Sequence, residues 1–219
     1  MGVKFIESSA RILEGQVSSE DALNIVEKAG RTCYQSFDKA PQVLEPDDRT
    51  RAQEGFVRGL IRRGHESVIE HVNVSMSITF DRGILAEWTR HRIAAYSVES
   101  TRYVKYDGDV ACICPSGLNV DEHPEFVRAI EHSIATYQEM IRNGVKAEIA
   151  RAVLPMCLAT RMVVTHNMRE WRHILKERLL NAHAHPDFRL LMKKVLNELH
   201  FWYPVFFEDI MLEYRKSED

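Results

Sequence analysis

The chain has 219 residues, 45% hydrophobic and 28% charged, with a formal net charge of -3. That length holds an ample core, and the composition is that of an ordinary globular protein. The negative balance argues against a general nucleic-acid binder, and no apolar run reaches the roughly 20 residues of a membrane-crossing helix.

Met1 to Ser9 lacks the long apolar centre of a secretory signal, so a cytoplasmic protein is expected. Cys33, Cys112, Cys114 and Cys157 are too few for a disulfide scaffold and read as free, buried thiols. Within Met1 to Ser9, the stretch Val3 to Ile6 reads as a short strand. Ser18 then caps a helix whose first turn carries Glu20 and Asp21, with Gly30 near its end. A second helix runs from about Asp47 to Arg63 and stops at Gly64. From Val72 to Phe80 apolar residues alternate with Asn73, Ser75, Ser77 and Thr79, a strand with one apolar and one polar face. Ile84 to Arg92 reads as a helix, followed by a half-buried loop and a turn at Asp107-Gly108. Beyond that turn the pattern is mainly helical, near 121–142, 145–152, 168–181 and 186–202, with a strand over Leu158 to Thr165. Helices and strands are segregated rather than alternating. The expected class is therefore α+β: one domain over 1–219, with a central, mainly antiparallel sheet flanked by helices.

Residues 90 to 103 read RHRIAAYSVESTRY and concentrate Arg90, His91, Arg92 and Arg102. Guanidinium groups grip phosphate with a planar fork, and Ser97, Ser100 and Thr101 add short-range donors. By themselves these residues fit a solvated loop, or an ion network with Glu87 and Glu99, as well as a phosphate site.

The spacing Arg90-His91-Arg92, seven residues, Ser100 resembles the signature of the flavin-dependent thymidylate synthases, and Arg102-Tyr103 fits it too. Cys33-Tyr34, Gly64 to Ser67 and Glu70-His71 resemble an upstream block of that family, Arg151 with Leu154-Pro155 a middle block, and Asn167, Arg169, His173 and Arg178 a last block. The resemblance implies the family's fold and a homotetramer with shared active sites. It also implies reductive methylation of dUMP with methylenetetrahydrofolate, FAD and NADPH. By the same resemblance, dUMP falls to Glu87, Arg90, Glu99, Ser100, Thr101, Arg102, Arg151 and Arg178. FAD falls to His65, Ser67, Glu70, Arg90, His91, Arg92, Asn167, Arg169 and His173, and Arg178 is the catalytic residue that promotes the ionised uracil. Two positions depart from the family pattern: Ala95 replaces a frequent serine and Val98 a frequent glutamate or glutamine. They motivate an alternative, a sister enzyme that stops at hydroxymethylation. A non-enzymatic single-strand binder is a further alternative, with Tyr96 and Tyr103 as stacking platforms.

Read chemically, His65 and His71 are six apart and do not form HExxH, so no metal is expected there. His183 and His185 likewise read as surface residues. On an ideal helix Trp171, Ile174, Leu175 and Arg178 fall within about 100° of each other, placing Arg178 in an apolar stripe. Arg169, Arg172 and His173 fall on the opposite side. There is no GxGxxG fingerprint, so a flavin is not held on a Rossmann fold.

Overall fold

A computed structural model describes residues 2–40 and 45–218. In chain order it contains β1 (Val3–Ile6), β2 (Ser9–Ile12), α1 (Ser19–Tyr34), α2 (Pro46–Arg62), β3 (Asn73–Asp81), α3 (Arg82–Trp88), β4 (Ala95–Val98) and β5 (Val110–Ile113). There follow α4 (Pro124–Arg142), α5 (Ala147–Ala150), β6 (Ala159–Asn167), α6 (Met168–Leu175), α7 (Pro186–Trp202) and α8 (Pro204–Glu218). The class is α+β, as expected. One sheet has the strand order β2-β3-β6-β4, and β1 pairs with β5. The Met168 amide donates to the Val72 carbonyl at 2.9 Å, and the Ser75 and Thr165 hydroxyls meet at 2.7 Å. Numbers rise on one strand as they fall on the other, so β3 and β6 run antiparallel. The chain divides into two compact units: Met1–Ala10, Ser77–Arg92 and Tyr96–Val163, and Arg11–Met76, Ile93–Ala95 and Val164–Asp219.

In the first unit, β1 and β5 pair in parallel, Val3 opposite Val110 and Ile6 opposite Ile113. Around them Val110, Cys112, Ile130, Ile134 and Leu158 form a buried cluster, with Phe5, Tyr106 and Phe126 packed on it. Ile130, Ile134, Tyr137 and Gln138 line one face of α4, the three-to-four spacing of an amphipathic helix. β5 adds a strand that the sequence reading did not place directly after Asp107-Gly108. Four residues carry too little periodicity to announce a strand; pairing with β1 creates it. α3 is likewise shorter than the expected Ile84 to Arg92. Asp81 caps its start by accepting from the Ile84 amide at 2.8 Å. It ends at Trp88, and the Thr89 hydroxyl turns back onto the Leu85 carbonyl at 3.0 Å.

In the second unit, Ser18 caps α1 as expected, its hydroxyl accepting from the Asp21 amide at 3.0 Å. Gly30 lies near the end of this helix, as expected, about one turn before Tyr34. A Cβ at Gly30 would lie 2.9 Å from Phe56 of α2, so glycine sets how closely the two helices approach. α2 stops before Gly64, whose φ of 74° suits a residue without a side chain. β3 follows the expected alternation: Val74, Met76, Ile78 and Phe80 are buried. α8 was not anticipated. It buries Val205, Phe206, Phe207, Ile210, Met211 and Tyr214.

Candidate functional site

The Arg-His-Arg segment is a tight turn closing α3. The Arg90 amide donates to the Glu87 carbonyl at 3.2 Å and the His91 amide to the Trp88 carbonyl at 3.0 Å. The Tyr96 hydroxyl clamps the turn, 2.5 Å from the His91 carbonyl and 3.1 Å from that of Trp88. Arg90 and Arg92 are exposed, His91 is buried and Glu87 is half-buried. The loop expected after them contains β4, which carries Val98 half-buried.

Ser100 opens the next turn. Its carbonyl accepts from the Val104 amide at 2.9 Å and its hydroxyl from the Arg102 amide at 3.3 Å. The Arg151 guanidinium reaches the Thr101 hydroxyl at 3.2 Å, and Arg102 meets Glu148 at 3.2 Å. The first unit therefore gathers half-buried Ser100 and Thr101 with exposed Arg102 and Arg151. Glu99 turns elsewhere: it accepts from the Tyr106 hydroxyl at 2.7 Å, beside a cavity of about 230 Å³ that Asp109 and Arg161 also line. Burial, and then the Glu99 carboxylate, push the Tyr106 hydroxyl up to about 12.

The second unit holds a larger cavity of about 410 Å³, lined by Glu66, Glu70, Ile93, Asn167, Arg169, Glu170, His173 and Lys176. Asn167 caps α6, accepting from the Glu170 amide at 2.8 Å. Arg169 meets Glu70 at 2.5 Å, and that bond holds the guanidinium above its ordinary range. Burial raises the Glu170 carboxyl, against the opposing charges of His173 and Arg169. His65 Nδ1 lies 3.2 Å from the Tyr34 hydroxyl, and Ser67 is exposed on the 3-10 turn Glu66–His71. Of the residues expected at a flavin, this cavity brings together Glu70, Asn167, Arg169 and His173. Sequence reasoning missed Glu66 and Lys176, although Lys176 continues the 169–173 face at helical spacing.

Arg178 lies on a π-helical turn, Lys176–Leu180, half-buried with its guanidinium 5.3 Å from the Phe188 ring centre. Arg172 corrects the expectation. It does not share the open side of Arg169 and His173. It is buried, donating to the Phe206 carbonyl at 2.5 Å, to both Asp209 oxygens at 2.8 and 2.7 Å and to Glu66 at 3.1 Å. The Glu66 turn and α8 cover the part of the helix that carries Arg172, on the side opposite the apolar stripe.

The cavity falls in the size range of small-molecule sites. Its donors, Arg169, Lys176, His173 and the Asn167 amide, match phosphate oxygens. Its carboxylates, Glu66, Glu70 and Glu170, match sugar or ribityl hydroxyls. The donor set fits part of a flavin dinucleotide.

A family model described as thymidylate synthase complementing protein matches residues 16–205. The flavin-dependent thymidylate synthase of Mycolicibacterium vanbaalenii is 38% identical over 205 residues, which is 84% of this chain and 78% of the relative. That of Mycobacterium avium is 37% identical with the same coverage. A UMP/dUMP methylase from Streptomyces cacaoi, solved with 5-Br dUMP, is 20% identical and superposes over 97% of each chain with a TM-score of 0.76, a shared fold.

Proposed function

We infer, for a chain that belongs to the thymidylate synthase complementing protein family, that it is a flavin-dependent thymidylate synthase. It methylates dUMP to dTMP with methylenetetrahydrofolate as carbon donor, FAD as hydride carrier and NADPH as reductant. The observation that carries this is 37–38% identity to enzymes of that name over 84% of the chain, with a family match over residues 16–205 that spans all four blocks.

Arg90, Arg102 and Arg151 take the nucleotide phosphate, and Ser100 and Thr101 add hydroxyl contacts. All five lie in the first unit, where contacts group Ser100 with Arg102 and Thr101 with Arg151, and this supports the assignment. Glu87 completes the nucleotide set; Glu99, which accepts from the Tyr106 hydroxyl, stands apart from it. Ser100 binds rather than attacks, since among the described residues its hydroxyl is bonded by the Arg102 amide and by no base. His91, Arg92 and Arg90 hold FAD, together with His65, Ser67, Glu70, Asn167, Arg169 and His173. Bound there, FAD would supply the hydride that completes the methyl group. Arg178 is the catalytic residue. Held against the Phe188 ring, its fixed cation favours the ionised uracil over the neutral one.

The chain works as one family domain over 1–219 and assembles as a homotetramer with shared sites. Phe201, Trp202 and Leu212, all exposed apolar residues of the second unit, support subunit contact. It acts in the cytoplasm, on small molecules rather than nucleic acid or membrane. Among the described residues no helix is long and apolar enough to cross a membrane, and the cysteines are free.

The test is incubation with dUMP, FAD, methylenetetrahydrofolate and NADPH, followed by mass analysis of the nucleotide. The expected product is dTMP from a yellow protein. A product heavier by one oxygen would establish hydroxymethylation instead, the outcome that Val98 and Ala95 motivate. Arg178→Ala abolishes dTMP formation with FAD still bound; retained turnover refutes the role given to Arg178.

A further inference from the structure

We infer that His166 is a positioning residue for the flavin cavity: its buried imidazole holds the Ile93 backbone carbonyl, and with it one wall of that cavity. This rests on the flavin reading above. His166 is 1% exposed and lies on β6, in the strand's inward register. Its Nδ1 stands 3.0 Å from the Ile93 carbonyl oxygen. A carbonyl only accepts, so Nδ1 carries the proton and the tautomer is settled.

Burial drives the imidazole pKa down to about 4, so the ring is neutral at working pH. The ring meets Trp171 edge to face, 4.7 Å between centres. Trp171 is itself anchored, its indole donating to the Val74 carbonyl at 3.1 Å. The imidazole therefore has little freedom to turn, and its donor stays aimed at residue 93.

Ile93 follows Arg92 in the signature segment, and its side chain, 64% exposed, lines the cavity. Asn167, next to His166, lines it too and caps α6, the helix that carries Arg169, Glu170 and His173. Successive strand residues point to opposite faces. One strand end thus supports both walls, with Asn167 holding the helix and His166 holding the Ile93 segment. Without that donor the Ile93 carbonyl loses its partner, and the wall shifts to find another.

Two substitutions separate positioning from bulk stability. His166→Asn sets an amide nitrogen where Nδ1 stood; His166→Gln sets it where Nε2 stood. Both leave a polar amide in the same buried space. FAD affinity is read by quenching of flavin fluorescence, together with the bound flavin's absorbance band. Hydrogen exchange at residues 93–95 is read without flavin. We expect His166→Asn to stay within about threefold of the native affinity and exchange, and His166→Gln to weaken FAD by about tenfold or more and speed that exchange. Equal FAD affinity and equal exchange in both variants, whatever their melting temperatures, would overturn the inference, as would equal losses in both. A native chain that takes up no FAD sinks the flavin reading instead, and the exchange data still decide whether His166 holds Ile93.

Discussion

Arg172→Met tests the buried ion network that joins the Glu66 turn, α6 and α8. Methionine keeps most of the aliphatic stem, so the loss is mainly that of the cation and its donors. The Arg172 side chain is 2% exposed, Glu66 20% and Asp209 50%. Burial disfavours the guanidinium, but the Asp209 bonds and the Glu66 charge outweigh it and hold the cation firmly protonated. Removing one partner of a buried pair costs about 3–5 kcal/mol. Here Asp209 is half in water and rehydrates, and Lys176 remains 3.7 Å from Glu66. Loss of the buried guanidinium's bonds to the Phe206 carbonyl and to Asp209 is then the main cost, and about 3 kcal/mol is expected. For a chain of this length that lowers Tm by about 6–12 °C. Thermal melts by circular dichroism, with urea titrations as a check on cooperativity, measure it. A drop under about 2 °C would show that the network is solvated and refute the reasoning. Asp209→Asn keeps one acceptor and should cost about 1 kcal/mol.

His166 also gives a pH dependence. Its folded pKa, about 4, lies below the usual 6.5, so the unfolded chain binds more protons between those values. Stability from this group is full above pH 6.5, falls as pH drops to about 4, and is flat below. The span is on the order of 3 kcal/mol, and His166→Asn should remove it from urea titrations at pH 7 and 4.5. The expectation of four buried cysteines is corrected: Cys112 is buried, Cys114 and Cys157 are half-buried and Cys33 is exposed. A hydrogen bond from Cys112 lowers the Cys157 thiol, while that bond and burial push Cys112 up. Iodoacetamide should therefore modify Cys33 first and Cys112 only after unfolding. Peptide masses showing Cys112 labelled as fast as Cys33 would contradict this burial.

Much of this was legible from local pattern. Ser18 announces its cap because a hydroxyl two or three residues before an amide has little choice of partner. The alternation of Val74, Met76, Ile78 and Phe80 announces a strand with one buried face, because that pattern fits only a period of two. The blocks at 64–71, 90–103, 151–155 and 167–178 announce the family, because ordered motifs at workable spacing rarely recur by chance.

The tertiary structure decided the rest. β2, β4 and β5 are four residues each, and only a paired neighbour makes them strands. Helical periodicity put Arg172 beside Arg169 and His173, yet Arg172 is buried under the Glu66 turn and α8 while Arg169 stays exposed. A helix's sequence says which residues share a face; it does not say what covers that face. The same limit applies to Glu99, which the signature offered to a nucleotide and the fold gave to Tyr106. It applies to His166 as well. Nothing in its neighbourhood in sequence marks it out, because its partner is a backbone carbonyl 73 residues away. The sequence by itself determined the class, the family and the chemical inventory, all of which depend on residue type and short-range spacing. Which charges are buried, and which backbone groups a buried donor holds, depend on contacts between distant segments, and only folding creates those.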